Sequence, residues 1–401
     1  MLEFSNLISR SVFAGLIILT CAACVDGTTG PVITEPTVPS TVILNRAHGL
    51  STQSYFNAKY VEFSTSSNDY PRDRFGVNPL NADAAAFFRY PDGTEGLVAN
   101  ILQYWQNGVM MPRESAVPGR IIFYRRDPKA SGPQASWQVH NVPVQQQVPP
   151  CMHPRKILMA DFNGDSVPDF AIMCHGWDAH PFPGERSTIL LSQGNGYILT
   201  HIADEIGFHH GGSTADFNGD GIPDIAMTTL RGGIRVFIND GRGNFTRSST
   251  YTIPVIRKSF HVELLDLNGD GHFDLVSGSH EWEEPTRILI NPGNNNFNNA
   301  RIFNIPSVPG AGTIVDFLHT PSNNSLYILR TGDGRSNGTV FYQGLWLQKY
   351  SLITAESTVV FANPNWTDPR YGYPSRWLRW IIEDNGHIVS NWGNAFRFRI
   401  E

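Results

Sequence analysis

Charge is scarce in this chain, and helical periodicity is scarcer. Only 16% of the 401 residues are charged, and acids outnumber Lys and Arg by 36 to 30. No basic stripe is on hand to neutralise phosphates, which argues against nucleic acid as a partner. Stretches repeating every 3.6 residues are missing; short alternating runs such as Arg235–Asn239 and Ser259–Leu264 stand in their place. A Gly-rich phosphate loop, a GxSxG elbow and an HExxH pair are all absent, which removes the usual sequence marks of nucleotide binding, serine hydrolysis and zinc proteolysis. Past the N-terminal segment no run is apolar enough to cross a bilayer. What is abundant is turn chemistry. With 37 Gly and 27 Pro among many aromatics, the composition suits an all-β chain of short strands.

The first 24 residues read as an export signal: Arg10 precedes the apolar run Ser11 to Thr20, too short to remain in a membrane. The run ends Leu19-Thr20-Cys21-Ala22-Ala23-Cys24 and resembles a bacterial lipoprotein signal, which would make Cys24 the lipidated first residue of an envelope protein in the outer membrane or periplasm. Cys21 and Glu3 depart from that pattern, and ordinary cleavage near Ala23, giving a secreted protein, is the alternative. Residues 25–41, rich in Thr, Pro and Gly, read as a disordered tether. Residues 42–401 are then expected to form one body. Only Cys151 and Cys174 are left in it, and an exported pair of cysteines is expected to form a disulfide.

Three acidic loops carry the strongest signal: DFNGDSVPD from Asp161, DFNGDGIPD from Asp216 and DLNGDGHFD from Asp266. They recur at roughly 50 residues, the mark of a repeat architecture. Positions 1, 3, 5 and 9 are Asp161, Asn163, Asp165 and Asp169, then Asp216, Asn218, Asp220 and Asp224, then Asp266, Asn268, Asp270 and Asp274. Alternate positions on a tight turn direct hard oxygens to one centre, as calcium requires, with the backbone carbonyls of Val167, Ile222 and Phe273 expected to join. Position 12 is Ile172, Met227 or Ser277, none of which offers the bidentate carboxylate of a helix–loop–helix calcium hand. Strands also flank the loop, so that reading is set aside.

One unit parses cleanly. His261–Leu265 enters the loop, Asp274–Gly278 leaves it, and Arg287–Asn291 and Asn298–Ile305 complete four short antiparallel strands, the layout of a propeller blade. The unit before it matches, and degenerate copies extend the count to six anchors near 88, 161, 216, 266, 316 and 381. Six blades are countable and a seventh, around Val42–Asn45, is open; Tyr60–Ser64 is a candidate ring-closing strand.

The loops and their flanking strands resemble the FG-GAP/VCBS repeats of integrin α-chain propellers and many bacterial surface proteins, specifically in three units and loosely across about residues 80–401. The resemblance implies structural calcium on the lower face, up to three ions held by the twelve side chains named above. Ser166 replaces the glycine found at Gly221 and Gly271. If position 6 is left-handed, Ser costs on the order of 1 kcal/mol there, which would make the Asp161 site the weakest.

On the opposite face two units carry His175-Gly-Trp177-Asp178 and His280-Glu-Trp282-Glu283 at the same place after the second strand. His153, His209, His210 and His261 open onto that face, with Arg231 and Arg330 from other units. Such a rim suits a sugar, a protein or a transition metal; packing of Trp177 and Trp282 between blades is the bland alternative. A zinc set of Cys151, His153, Cys174 and His175 competes with the disulfide. Adjacent acids at Asp204-Glu205 and Glu281–Glu284 are read as solvated. The function expected is therefore a calcium-stabilised binding or adhesion module for extracellular protein or glycan, working through His175, Trp177, His210, Arg231, His261, His280 and Trp282. The alternative is a polysaccharide-acting lyase or hydrolase on the same face.

Overall fold

The second strands of the acidic units are buried at every residue: Asp169–Cys174, Asp224–Thr229 and Asp274–Gly278. A strand apolar on both faces needs cover on both. The computed structural model meets that need by setting small sheets side by side, so that each of these second strands lies in a sheet packed between the sheet before it and the sheet after it. It describes residues 83–400 apart from 91–93, 107–108, 128, 133–136, 230–232, 336–341, 367–380, 385 and 391–396. The export signal with Cys24, the tether, Val42–Asn45, Tyr60–Ser64 and Arg231 lie outside the described residues. Among those described, no helix is long and apolar enough to cross a membrane.

Blade 1 comprises Ala84–Arg89, Glu95–Ile101, Arg120–Arg126 and Gln138–His140. Blade 2 runs through Pro154–Ala160, Asp169–Cys174, Glu185–Gln193 and Gly196–Gly207. Gly212–Ala215, Asp224–Thr229, Gly233–Asn239 and Phe245–Thr252 make blade 3. Blade 4 has His261–Leu265, Asp274–Gly278, Arg287–Ile290 and Arg301–Asn304. Blade 5 has Thr313–Thr320, Ser325–Thr331, Leu345–Ser351 and Ser357–Asn363. The fold is thus an all-β propeller with five blades among the described residues, which corrects the count of six or seven. Near 381 the described residues form a three-stranded sheet, Ile381–Asp384, His387–Ser390 and Arg397–Arg399.

Two other details depart from the expected layout. Blade 2 gains a fifth strand, Val144–Gln146, which pairs in parallel with Tyr197–Leu199 on its outer edge. The chain leaving blade 1 must pass that edge to reach the axis. A side chain at Gly196 would lie 2.3 Å from the Pro143 carbonyl, so glycine permits the approach. In blade 5, Asp316 lies inside the innermost strand and not at a loop; the turn falls at Pro321–Asn323, with Asn324 left-handed at φ 47°.

The core lies between blades, and its order follows strand alternation. Ile157 and Met159 pack with Ala84, Ala86 and Phe123 of blade 1. Leu158 and Ala160, one residue out of phase, pack with Ile225, Met227 and Phe237 of blade 3. The same exchange joins blades 3 to 4 through Val236 and Leu275, and 4 to 5 through Val276 and Ile328. Such fully buried Leu or Ile side chains each lose about 2–5 kcal/mol on truncation to Ala. Charged groups meet among the innermost strands: the Lys156 ammonium donates to Glu263, whose other oxygen accepts from Ser213 Oγ at 3.4 Å. Glu263 is wholly buried. Nearby, burial raises the Asp316 carboxyl well above its usual range, with Lys156 opposing the rise.

Candidate functional site

Each acidic loop joins the first and second strands of its blade, so all three open at the same end of their strands. The first Asp curls the loop by accepting from its backbone. Asp216 takes Gly219 N at 2.6 Å and Gly221 N at 2.7 Å; Asp266 takes Gly269 N at 2.7 Å and Gly271 N at 3.0 Å. Position 6 is left-handed in all three, with φ 69° at Ser166, 82° at Gly221 and 86° at Gly271. Asn218 and Asp220 converge, Nδ2 to Oδ2 2.8 Å, as do Asn268 and Asp270 at 2.9 Å. In the first loop the Asn163 amide is shared, donating to the Ser192 carbonyl at 2.9 Å and only at 3.4 Å to Asp165 Oδ2.

Position 9 has a second occupation that spacing alone does not reveal. Asp224 accepts from Phe217 N and Asn239 N, both at 2.8 Å; Asp274 accepts from Leu267 N at 3.0 Å and Asn291 N at 2.9 Å. Asp169 does the same with Phe162 N at 2.7 Å and Ser192 N at 2.6 Å. These buried carboxylates tie the start of the loop to the third strand. Burial lifts Asp169 to about 6 and Asp224 and Asp274 to about 7, and nearby loop carboxylates push the same way. A calcium ion fits this donor set of hard oxygens and would relieve that mutual repulsion.

One backbone assignment needs correcting. His272 N donates to Asp270 Oδ1 at 2.8 Å, as Val167 N and Ile222 N do to Asp165 and Asp220. His272 therefore occupies position 7, and Phe273 is a buried position 8 whose carbonyl accepts from Asn291 at 2.8 Å.

At the other end of the strands, rings form a continuous belt. His153 meets His175 with centroids 4.6 Å apart, His175 meets His210 at 4.5 Å, and His210 stacks on Phe260 at 4.4 Å. Phe260 abuts His280 at 4.6 Å, and His280 stacks on Trp282 at 5.4 Å with planes 5° apart. Trp282 is 44% exposed and carries the Arg335 guanidinium 3.6 Å over its ring. Burial lowers His280 to about 4, so it is neutral. At the belt's far end the Tyr104 hydroxyl lies 2.8 Å from His153 Nδ1, and Arg155 donates to His210 Nδ1 at 3.1 Å. Cys151 and Cys174 are joined as a disulfide, Cα atoms 5.4 Å apart, just before His153 and His175.

The sequence-derived rim divides. His175, His210, His280 and Trp282 come together; Trp177 is half-buried beside them in sequence, and His261 opens the innermost strand of blade 4 opposite Gly278. His209 turns into blade 3, its Nδ1 3.0 Å from the Thr228 carbonyl. Arg330 is wholly buried, bonded to Gln348 at 2.6 Å and Glu281 at 2.7 Å, so it bolts blades 4 and 5 together instead of lining the rim. Of the adjacent acids, Asp204 is solvated as expected, its side chain 92% exposed even while it meets Arg186 at 2.7 Å, whereas Glu283 is largely covered and pairs with Lys258 at 2.6 Å. No motif marks Tyr104, Phe260, Arg335 or Phe208, whose ring lies against those of His175 and His210. Phe208 and Phe260 do share a recognisable place, just upstream of an innermost strand.

Residues 216–277 match the FG-GAP-like repeat family. The chain is thus a β-propeller that carries an FG-GAP-like repeat. No curated protein matches the chain. Solved structures similar to it include 6-phosphogluconolactonase candidates from Bacteroides fragilis (13% identity, TM-score 0.46, 88% of this chain and 89% of that one) and Bacteroides uniformis (12%, 0.46, 78% and 77%). An exo-β-1,3-galactanase candidate from Bifidobacterium bifidum s17 gives 10% identity and a TM-score of 0.40 over 75% of this chain and 95% of that one.

Proposed function

We propose that this protein is an exported binding module of the cell envelope, stiffened by calcium at one end of its blades and binding extracellular glycan at the other. One observation carries the reading: exposed Trp282, backed by neutral His280 and capped by Arg335, ends a belt of rings that continues through Phe260 and His210 to His175. Of these groups only Trp282 and Arg335 reach solvent, the rings behind them being buried. A sugar would lay its C–H face on the indole where the exposed Arg335 guanidinium now lies and take hydroxyl hydrogen bonds from that guanidinium. Calcium would be held by Asp216, Asn218, Asp220 and Asp224 and their counterparts, supplying charge neutralisation and loop rigidity. Anchoring through Cys24 belongs to the same reading.

A glycan screen with calcium present tests it. Trp282→Ala/Arg335→Ala, both in exposed side chains, is expected to weaken the leading hit at least about tenfold, the loss of one stacked and hydrogen-bonded contact of about 1.4 kcal/mol. Equal binding by parent and variant sinks the proposal, and retention of a protein partner alone would replace glycan with protein. A polysaccharide-acting enzyme is the second reading, favoured by the convergence of Tyr104, His153, His175, His210 and Arg155.

A further inference from the structure

We propose that His153, His175 and Asp178 form a three-ligand site for a divalent transition metal of the zinc class, separate from the acidic loops. One ligand atom from each of the three lies within 4.8 Å of the others. His175 Nε2 and Asp178 Oδ1 are already 3.6 Å apart. The edge of a tetrahedron with bonds of about 2.05 Å is about 3.3 Å, so this pair needs almost no movement. Two imidazoles and a carboxylate leave a fourth position open. Nitrogen donors favour zinc, cobalt or nickel over calcium and magnesium.

The surroundings hold these side chains as a metal site requires. His175 Nδ1 lies 3.0 Å from the Gly176 carbonyl. A proton on Nδ1 donated there leaves the lone pair on Nε2, the nitrogen facing Asp178, and fixes the ring. Gly176 is left-handed at φ 81°, and a Cβ on it would strike Gly184 at 2.6 Å, so the carbonyl is placed by a turn that needs glycine. His153 Nδ1 is likewise engaged, by Tyr104 Oη, which also accepts from Asp178 N at 3.2 Å. In the proposed site both imidazoles ligate through Nε2.

The backbone carrying the two histidines is fixed three times over. The Cys151–Cys174 disulfide joins the segments directly upstream of them. His175 N donates to the His153 carbonyl at 2.9 Å. Glu185 Oε1 accepts from both His153 N at 3.0 Å and Gly176 N at 2.9 Å, while Oε2 takes Met152 N at 2.9 Å. Both histidines are 1% exposed, whereas the Asp178 side chain is 41% exposed. The imidazoles form a floor and the carboxylate a mouth, which leaves the metal a side open to water or to a ligand on the rim. A plain imidazolium–carboxylate pair between His175 and Asp178 is the competing account.

Cobalt decides between them. The mature chain without an affinity tag is stripped with chelator, returned to excess calcium and titrated with Co²⁺. One equivalent per chain should give the visible bands of a four-coordinate nitrogen–oxygen site, and zinc should displace them. Asp178→Asn, at an exposed side chain, should weaken cobalt at least about tenfold, in line with loss of a ligand or its support. His175→Gln should abolish the bands, with near-ultraviolet circular dichroism as the check on folding. No bands at several equivalents, bands lost to calcium, or bands unchanged in Asp178→Asn would each overturn the site. None of these outcomes bears on glycan binding through Trp282.

Discussion

Asp274 holds Leu267 N and Asn291 N, one on each oxygen, at a site shut off from solvent. Removing the carboxylate strands two buried donors, each costing about 1–3 kcal/mol. Asp274→Ala is therefore expected to lower unfolding free energy by several kcal/mol in urea titrations, and to do so in chelator as well as in calcium. A loss confined to calcium-containing buffer would reduce Asp274 to a ligand only. The pattern DxNxDxxxD is equally satisfied by a ligand and by a brace, so this double role was not legible in spacing. Ser166 was legible: its left-handed φ of 69° follows from its alignment with Gly221 and Gly271.

His280 gives a pH prediction. Its folded value, about 4, lies below the ordinary 6.5, because burial disfavours the imidazolium. Between pH 6.5 and 4 the unfolded chain thus binds the extra proton, and stability rises with pH across that window. The contribution is intact above 6.5 and falls away on acidification, by up to about 1.4 kcal/mol per pH unit. Comparing the wild-type melting temperature with that of His280→Gln from pH 7 to 4 should show a shallower acid loss in the variant. Parallel curves would count against a neutral buried His280.

At the scale of the element, the acidic loop is the unit that calcium would tighten. With dissociation constants near 10⁻⁴ M, millimolar calcium adds about 1.4 kcal/mol per loop. Chelator should then lower the melting temperature of the purified protein by several degrees, with Asp161 as the loop that fills last on titration because of left-handed Ser166 and an Asn163 amide shared with Ser192. An unchanged melt would remove calcium from the account. Strands two and three were readable in the units of Asp216 and Asp266, where the apolar runs of the third strands end in Asn and a turn. Blade 5 was harder: Asp316-Phe317 imitates a loop opening, yet sits mid-strand because its carboxylate caps Ile381 N at 2.8 Å across to the next sheet.

For the whole molecule, the charges among the innermost strands matter most. Lys156 of blade 2 and Glu263 of blade 4 meet across Ser213 of blade 3, so three blades share one ion pair. Lys156→Met leaves Glu263 charged and buried, and should cost about 3–5 kcal/mol, while Lys156→Met/Glu263→Gln should recover much of it. Equilibrium denaturation of both variants checks this; equal stability of the single and double variants would deny the coupling. Sequence periodicity could reveal the repeat but not this pairing, since the two residues lie 107 positions apart. Five blades in place of six among the described residues follows from the same limit: an anchor marks where a first turn falls, not which strands assemble behind it.

Val144–Gln146 bears on how this chain can be cut. Because that short segment hangs on the outer side of the sheet that follows it, the covalent period and the folded unit do not coincide. A truncation starting at Cys151 would expose the Tyr197–Leu199 backbone as a bare edge, ready to recruit a stray strand from another molecule. Any excised or transplanted copy of this sheet should begin no later than Pro143 if it is to stay monomeric.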